Sequence, residues 1–382
     1  MSQVALVPCD CYDPDVCHQA LLDVLKPLGG LSFVQPGMRI GIKANLVSFM
    51  KPEEAATTHP TLLSELVKLI IEQGAEVVVG DSPGGLYTAA YVKNVYRATG
   101  MYEVEKAGAI LNEDFTQSTA EYPEAVVARS FQYTSWLDQC DLIINFCKLK
   151  SHGMMGMTAA AKNMFGVVPG TMKPEYHYKY PDPRNFARML VDLNEYFKPF
   201  LSIVDAVIGM DGNGPTAGKP KYIGVIAASR SPHALDLVCA KLIGLKRDDV
   251  PTLEAAYERG LIPSDYTMLT VHGDAEKLAV RDFENIRTKN DLLFKNTFNG
   301  KMGEIFGKFV QTCMCAVPKV NRSECIGCGK CGQICPASAI TMKSGLPLID
   351  RHICIHCFCC QEFCPKGAMK VSRPLIARIL NK

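Results

Sequence analysis

The 382-residue sequence has a single tryptophan and almost no net charge, Lys plus Arg being 41 against Asp plus Glu 39. A formal charge of +2 gives no overall field that would draw the chain to nucleic acid or anionic lipid. No apolar run approaches the roughly 18 residues that span a bilayer, which excludes a transmembrane helix. The start, MSQVALVPCDCYDPD, lacks the basic end and apolar stretch of a secretory leader, so a soluble cytoplasmic protein is expected. In a reducing compartment cysteines persist as thiols, ligands or redox centres rather than as a disulfide framework.

Cysteine itself is plentiful and unevenly placed. Of 17 cysteines, nine fall between residues 325 and 364. They form a repeat, Cys325-x2-Cys328-x2-Cys331-x3-Cys335-Pro336 followed by Cys354-x2-Cys357-x2-Cys360-x3-Cys364-Pro365. Three thiolates at this spacing converge from a tight loop on one iron–sulfur cube, while the fourth, followed by proline, points to the neighbouring cube. The expected ligand sets therefore cross: Cys325, Cys328, Cys331 and Cys364 for one [4Fe-4S] cluster, and Cys354, Cys357, Cys360 and Cys335 for the other. Zinc sites use four ligands in C-x2-C pairs and fit eight cysteines with two trailing prolines poorly. The stretch from about 319 to 372 resembles the bacterial two-cluster ferredoxins. That resemblance implies one-electron relay and a small α+β module. Cys359 and His356 belong to neither set and read as packing residues or, for Cys359, a spare thiol.

Ahead of this module the pattern alternates apolar strand-like runs with amphipathic stretches, which predicts an α/β body with a largely parallel sheet over residues 1–289. Expected strands are Arg39 to Ala44, Glu76 to Gly80, Asp141 to Phe146, Leu201 to Asp205 and Tyr222 to Ala227; expected helices are Pro60 to Gln73 and Pro232 to Ile243. Ligands bind at the carboxyl ends of such strands. Four loops there carry polar groups: Lys43 to Leu46, Gly80-Asp81-Ser82-Pro83-Gly84-Gly85, Cys147 to Gly153 (CKLKSHG), and Asp205 through Asp211-Gly212-Asn213-Gly214-Pro215. None is a G-x-G-x-x-G fingerprint or a Walker lysine loop. Lys43, Asp81 and Asp211 are candidate cofactor contacts.

The densest segment runs SHGMMGMTAAAKNMFGVVPGTMK from Ser151 to Lys173, with His177 beyond it. Small residues permit close backbone approach around His152, Lys162 and Asn163. A lysine there could act as base, covalent anchor or anion binder, with His152 as its catalytic companion. The alternatives are a solvated Lys162 and structural histidines, His177 above all.

KANL, GDSPGG, KLKSH, KNMFG, VDAVIGMDGNGP and ALDLVCAKLIG, in this order, resemble the DUF362 family over residues 4–275. Members often carry a C-terminal two-cluster ferredoxin module, and the resemblance implies an iron–sulfur protein of unassigned chemistry. Ala44 stands where the family commonly has proline. The segment from His152 through Lys162 and Pro169-Gly170 to His177 is also similar to the one by which lactate racemase holds its nickel-pincer nucleotide. That likeness implies Lys162 as cofactor-bearing lysine, flanked by His152 and His177, and hence an unidentified small cofactor in the α/β body.

Residues 290–318 place apolar side chains among Lys295, Lys301 and Lys308 at near-helical spacing, and residues 373–382 form a basic tail. Adsorption on anionic lipid is one reading. A linker packing the module onto the body is the other, favoured by Gly300, Gly303 and Gly307. Cys313 and Cys315, and Cys9, Cys11 and Cys17, match no iron–sulfur spacing. Three functions stay open: an electron carrier between redox partner proteins, an oxidoreductase whose site near Lys162 is fed by the clusters, and a cluster-bearing sensor or maturation factor.

Overall fold

The computed structural model describes residues 2–285 and 316–372, so most of the expected linker, with Cys313 and Cys315, and the tail lie outside the described residues. In chain order the strands are β1 (Gln3–Pro8), β2 (Arg39–Lys43), β3 (Glu76–Gly80), β4 (Ile110–Leu111), β5 (Gln117–Glu121), β6 (Ser130–Thr134), β7 (Leu142–His152), β8 (Gly156–Thr158), β9 (Leu201–Asp211), β10 (Lys219–Ser229) and β11 (Thr270–His272). Nine of them make one sheet, ordered β11-β1-β10-β9-β7-β2-β3-β4 with β8 paired to β7, while β5 and β6 form a separate hairpin. Pairing is parallel from β9 through β4 and between β1 and β11, and antiparallel for β1 with β10, β10 with β9 and β7 with β8.

The strand sequences explain the layering. In EVVVG, Val77 and Val79 face one apolar core and Val78 the other, as expected of a strand covered by helices on both faces. Helix Pro60–Ile71 begins with proline in its first turn, where no N–H is needed, and His59 accepts from Thr61 N at 3.3 Å as its cap. Its Leu62, Leu63, Leu66, Leu69 and Ile70 are buried against the sheet. Replacing any one of these leucines by alanine would cost about 2–5 kcal/mol.

Two expected loops prove to be strand. CKLKSH continues β7 to His152 because β8 folds back on it, Lys150 opposite Thr158 and His152 opposite Gly156. Asp205 to Asp211 continues β9 because β10 pairs with it along that whole length. The loop proper is Gly212 onward.

The small module has strands β12 (Val317–Val320), β13 (Ile340–Lys343), β14 (Leu346–Ile349) and β15 (Met369–Ser372), with β12 paired to β15 and β13 to β14. β12 starts two residues ahead of the expected start at 319. Short helices Lys330–Gln333 and Cys359–Glu362 occupy equivalent places in the two cysteine repeats. The backbone repeats too: Gly327 and His356, Gly329 and Phe358, and Ser338 and Gly367 are pairs 29 residues apart, all six with positive φ.

Candidate functional site

In the module, Cys325, Cys328, Cys331 and Cys364 all line one cavity, together with Ile326, Pro347 and Met369. Cys335, the fourth cysteine of the first repeat by sequence, is not among the lining residues. A thiol set drawn from both repeats, three from one and the fourth from the other, matches the crossed ligation of a two-cluster module. Cys354, Cys357, Cys360 and Cys335 sit within electrostatic reach of one another. The repeat is visible in the sulfur hydrogen bonds as well, Ala339 N donating to Cys335 Sγ and Ala368 N to Cys364 Sγ, both at 3.2 Å. Of the eight, Cys328 is exposed and Cys360 buried, and the other six are intermediate. Cys359 is fully buried beside Cys357.

The second repeat also docks the module on the body. The Gln361 side-chain amide is buried and donates to the carbonyls of Asn213 at 2.7 Å and Gly214 at 3.2 Å, and Val371 N donates to Asn213 Oδ1 at 3.2 Å. Phe358 is buried in the core of the body. The Gly212-Asn213-Gly214-Pro215 loop, read from sequence as a ligand loop, thus serves as the docking surface. Gly214 suits it because a Cβ there would overlap Ser151.

Docking closes a cleft, open to solvent, at the carboxyl ends of β2, β3 and β7. The body lines it with Lys43, Asn45, Asp81, Ser82, Lys150, Lys162, Asn163, Phe165, Gly166 and Lys173, and the module with Glu362 and Phe363. Lys43 and Asp81 are fully buried as an ion pair at 2.7 Å, and Lys43 Nζ also donates to Asn163 Oδ1 at 2.9 Å. A Cβ on Gly166 would overlap both Lys43 and Asp81, so the glycine of KNMFG is what lets this turn close over the pair. Burial lowers the Lys43 pKa and the Asp81 carboxylate opposes that shift.

Lys150 Nζ donates to Asn45 Oδ1 and Ala56 O, both at 2.7 Å, and Lys173 Nζ to the Ser82 carbonyl. Neither has a carboxylate partner within ion-pair distance among the described residues. Burial, then the Lys162 ammonium, bring the Lys150 pKa down to about 7, and burial brings Lys173 to about 8. Lys162 is half-buried, with its ammonium 5.8 Å from the centre of the Phe165 ring and no ion pair among the described residues.

His152 is fully buried at the edge of the cleft, its Nδ1 accepting from Met154 N at 3.1 Å and Met155 N at 3.2 Å. That places the ring proton on Nε2, which lies 2.9 Å from Glu362 Oε1. Burial and Lys162 lower the His152 pKa to about 4, leaving the ring neutral. Burial pushes the Glu362 carboxyl up, but Lys162, His152 and His177 outweigh it and hold the group below the ordinary carboxylate range. His177 is buried and stacks on Phe186 at 4.3 Å; burial lowers its pKa to about 3.

Lys43, Asp81 and Lys162 therefore meet in one cleft, with His152 held against its Glu362 wall and His177 behind it. Asp211 does not join them: it is buried on the far side of the docking loop, accepting from Glu284 N at 3.4 Å. Sequence reading named the segments that carry Ser82, Lys150 and Lys173 without singling these residues out, and it missed Glu362 as a cleft residue. It also missed the neighbouring Lys148, fully buried on Asp205 at 2.9 Å with Tyr12 hydroxyl as a second partner at 2.7 Å. Two lysines flanking one leucine in an apolar strand were the available signal for Lys148 and Lys150.

Comparison with known proteins adds three findings. The family model described as domain of unknown function DUF362 matches residues 40–241, and that of a 4Fe-4S binding domain matches residues 318–341. A thylakoid-associated protein of Synechocystis sp. is 32% identical over 269 residues, covering 69% of this chain and 81% of its own. Among solved structures, lactate racemase apoprotein from Thermoanaerobacterium thermosaccharolyticum aligns at 12% identity and TM-score 0.41 over 64% of this chain. A protein from Thermotoga maritima aligns at 14% and 0.36 over 59%. The chain spans 57% of the length of each of these two solved chains.

Proposed function

The chain belongs to the DUF362 family and carries a 4Fe-4S binding domain, and from that premise we propose that it relays single electrons through two [4Fe-4S] clusters, the inner of which ends at the lysine-lined cleft. The observation that carries the reading is the shared cavity of Cys325, Cys328, Cys331 and Cys364, three thiols from one repeat and one from the other. The second set, Cys354, Cys357, Cys360 and Cys335, holds the inner cluster. Such clusters supply one-electron transfer at potentials tuned by hydrogen bonds to sulfur and by exposure.

The chain's own residues supply direction. Cys328 is exposed and Ile326, which lines the same cavity, presents apolar surface, a fit for a redox partner protein at the outer cluster. Cys360 is buried, and the helix that begins beside it delivers Glu362 and Phe363 to the cleft wall. Shielding by Phe358, Phe363 and the body excludes water from that side. A carrier needs only its cluster module; a lysine-lined cleft beside the inner cluster favours an oxidoreductase over a pure carrier.

Dithionite titration of the anaerobically reconstituted full chain, followed by electron paramagnetic resonance, tests this. Two centres, each taking up one electron and interacting magnetically, are expected. A single centre, or none, contradicts the relay.

A further inference from the structure

The cleft has an imbalance of charge that its own residues do not resolve. Lys43 and Asp81 neutralise each other at 2.7 Å. Three further lysines line the cleft, Lys150, Lys162 and Lys173, and the one other carboxylate, Glu362, lies 2.9 Å from the neutral His152 ring and offsets part of the Lys162 charge. Lys150 and Lys173 have neutral oxygens as their hydrogen-bond partners. Lys162 has the face of Phe165.

A second observation is independent of charge. Ser82 is fully buried and lines the same cleft, yet its hydroxyl has no hydrogen-bond partner among the described residues. A buried polar group whose hydrogen bond is left unmade is costly and calls for a partner. The backbone N–H of Ser82 is taken by the Gly166 carbonyl at 3.2 Å, so the free donor is the hydroxyl. Ammonium groups and a hydroxyl donor converging on a half-enclosed space recognise a negatively charged oxygen cluster, and a neutral or cationic molecule would leave the lysines repelling one another.

We propose that the cleft binds a small oxyanion, the carboxylate or phosphate group of its substrate, between the ammonium groups of Lys162 and Lys173 and the hydroxyl of Ser82. This rests on the relay reading for its role in electron transfer, but its binding chemistry stands on the cleft alone. Glu362 sets a limit: it disfavours a ligand that reaches the module wall with a second negative charge. The anionic end of the ligand therefore lies toward Ser82 and the remainder toward Phe363.

Isothermal titration calorimetry on the anaerobically reconstituted full chain, with inorganic phosphate and with succinate as separate probes at constant ionic strength, tests the site. Saturable one-site binding of either probe is expected, the tighter one telling phosphate from carboxylate. Lys162→Met should weaken it at least tenfold, Lys162→Arg should retain most of it, and Ser82→Ala should weaken it severalfold. Absence of binding for both probes overturns the proposal, as does equal binding by Lys162→Met. The iron content of the same samples is a separate readout. Low iron with binding intact contradicts the relay and leaves the oxyanion site standing; full iron without binding does the reverse.

Discussion

Glu362 Oε1 of the cluster module lies 2.9 Å from His152 Nε2 of the α/β body, and the geometry of His152 Nδ1 fixes which partner donates. The contact joins a residue between two cluster cysteines to the end of β7. Glu362→Gln removes the charge but keeps a carbonyl acceptor, so the module should stay docked while oxyanion affinity in the cleft rises severalfold. Calorimetry with phosphate checks this; weaker binding would mean that Glu362 orders the site instead of limiting it.

Acid should destabilise the body well above the range of ordinary carboxylate titration. His152 and His59 are held near pKa 4 and His177 near 3, burial being the main cause in each case, against an ordinary value of 6.5. The unfolded chain takes up these protons below about pH 6.5 and the folded one does not. Stability is thus fully present above about 6.5 and is lost as pH falls toward 4, by up to about 1.4 kcal/mol per pH unit for each histidine. Urea denaturation at pH 7.5, 6.0 and 5.0 measures it. A flat profile across this window would contradict the buried neutral histidines.

Gly166→Ala should be among the most damaging single-carbon changes in the chain. The added methyl enters the Lys43–Asp81 pair, and disrupting a buried ion pair costs about 3–5 kcal/mol. A large drop in denaturation midpoint is expected, with Gly30→Ala, which meets nothing within 4 Å and carries only the strain of its own positive φ, as a milder reference.

His356 and Phe358 test the backbone repeat from opposite sides. Both hold left-handed φ, +55° and +61°, where their counterparts are glycines, and each costs about 1–2 kcal/mol in that region. His356→Gly gains that backbone relief but gives up an interaction of the residue, so its net effect should be small. Phe358→Gly gains the same backbone relief but removes an aromatic side chain from the core of the body, worth about 3–5 kcal/mol. It should therefore loosen docking while leaving the iron content unchanged. Hydrogen exchange at residues 209–217 reads the difference.

These particulars also show where sequence reasoning carries and where it stops. The strands Arg39–Lys43 and Glu76–Gly80 and the helix Pro60–Ile71 follow from local apolar periodicity and proline placement, both short-range signals. The cysteine spacing is equally local. The extension of β7 and β9 was hidden because their ends carry Lys148, Lys150 and Asp211, which read as loop until a partner strand and buried acceptors are supplied. The role of Gly212 to Pro215 as a dock, and of Glu362 as a cleft wall, depends on contacts across about 150 residues of sequence, such as Gln361 with Asn213. No local pattern encodes those. Glu362 and Phe358 differ from their counterparts in the first repeat, Gln333 and Gly329, and that asymmetry was the one legible hint of which repeat faces the body.

The most direct measurement is iron and acid-labile sulfide per chain after anaerobic reconstitution, on the wild type and on Cys328→Ala and Cys357→Ala. Two crossed cubane sites require about eight of each in the wild type and about four in either variant. Zinc without sulfide, or about four irons in the wild type, would contradict the two-cluster relay.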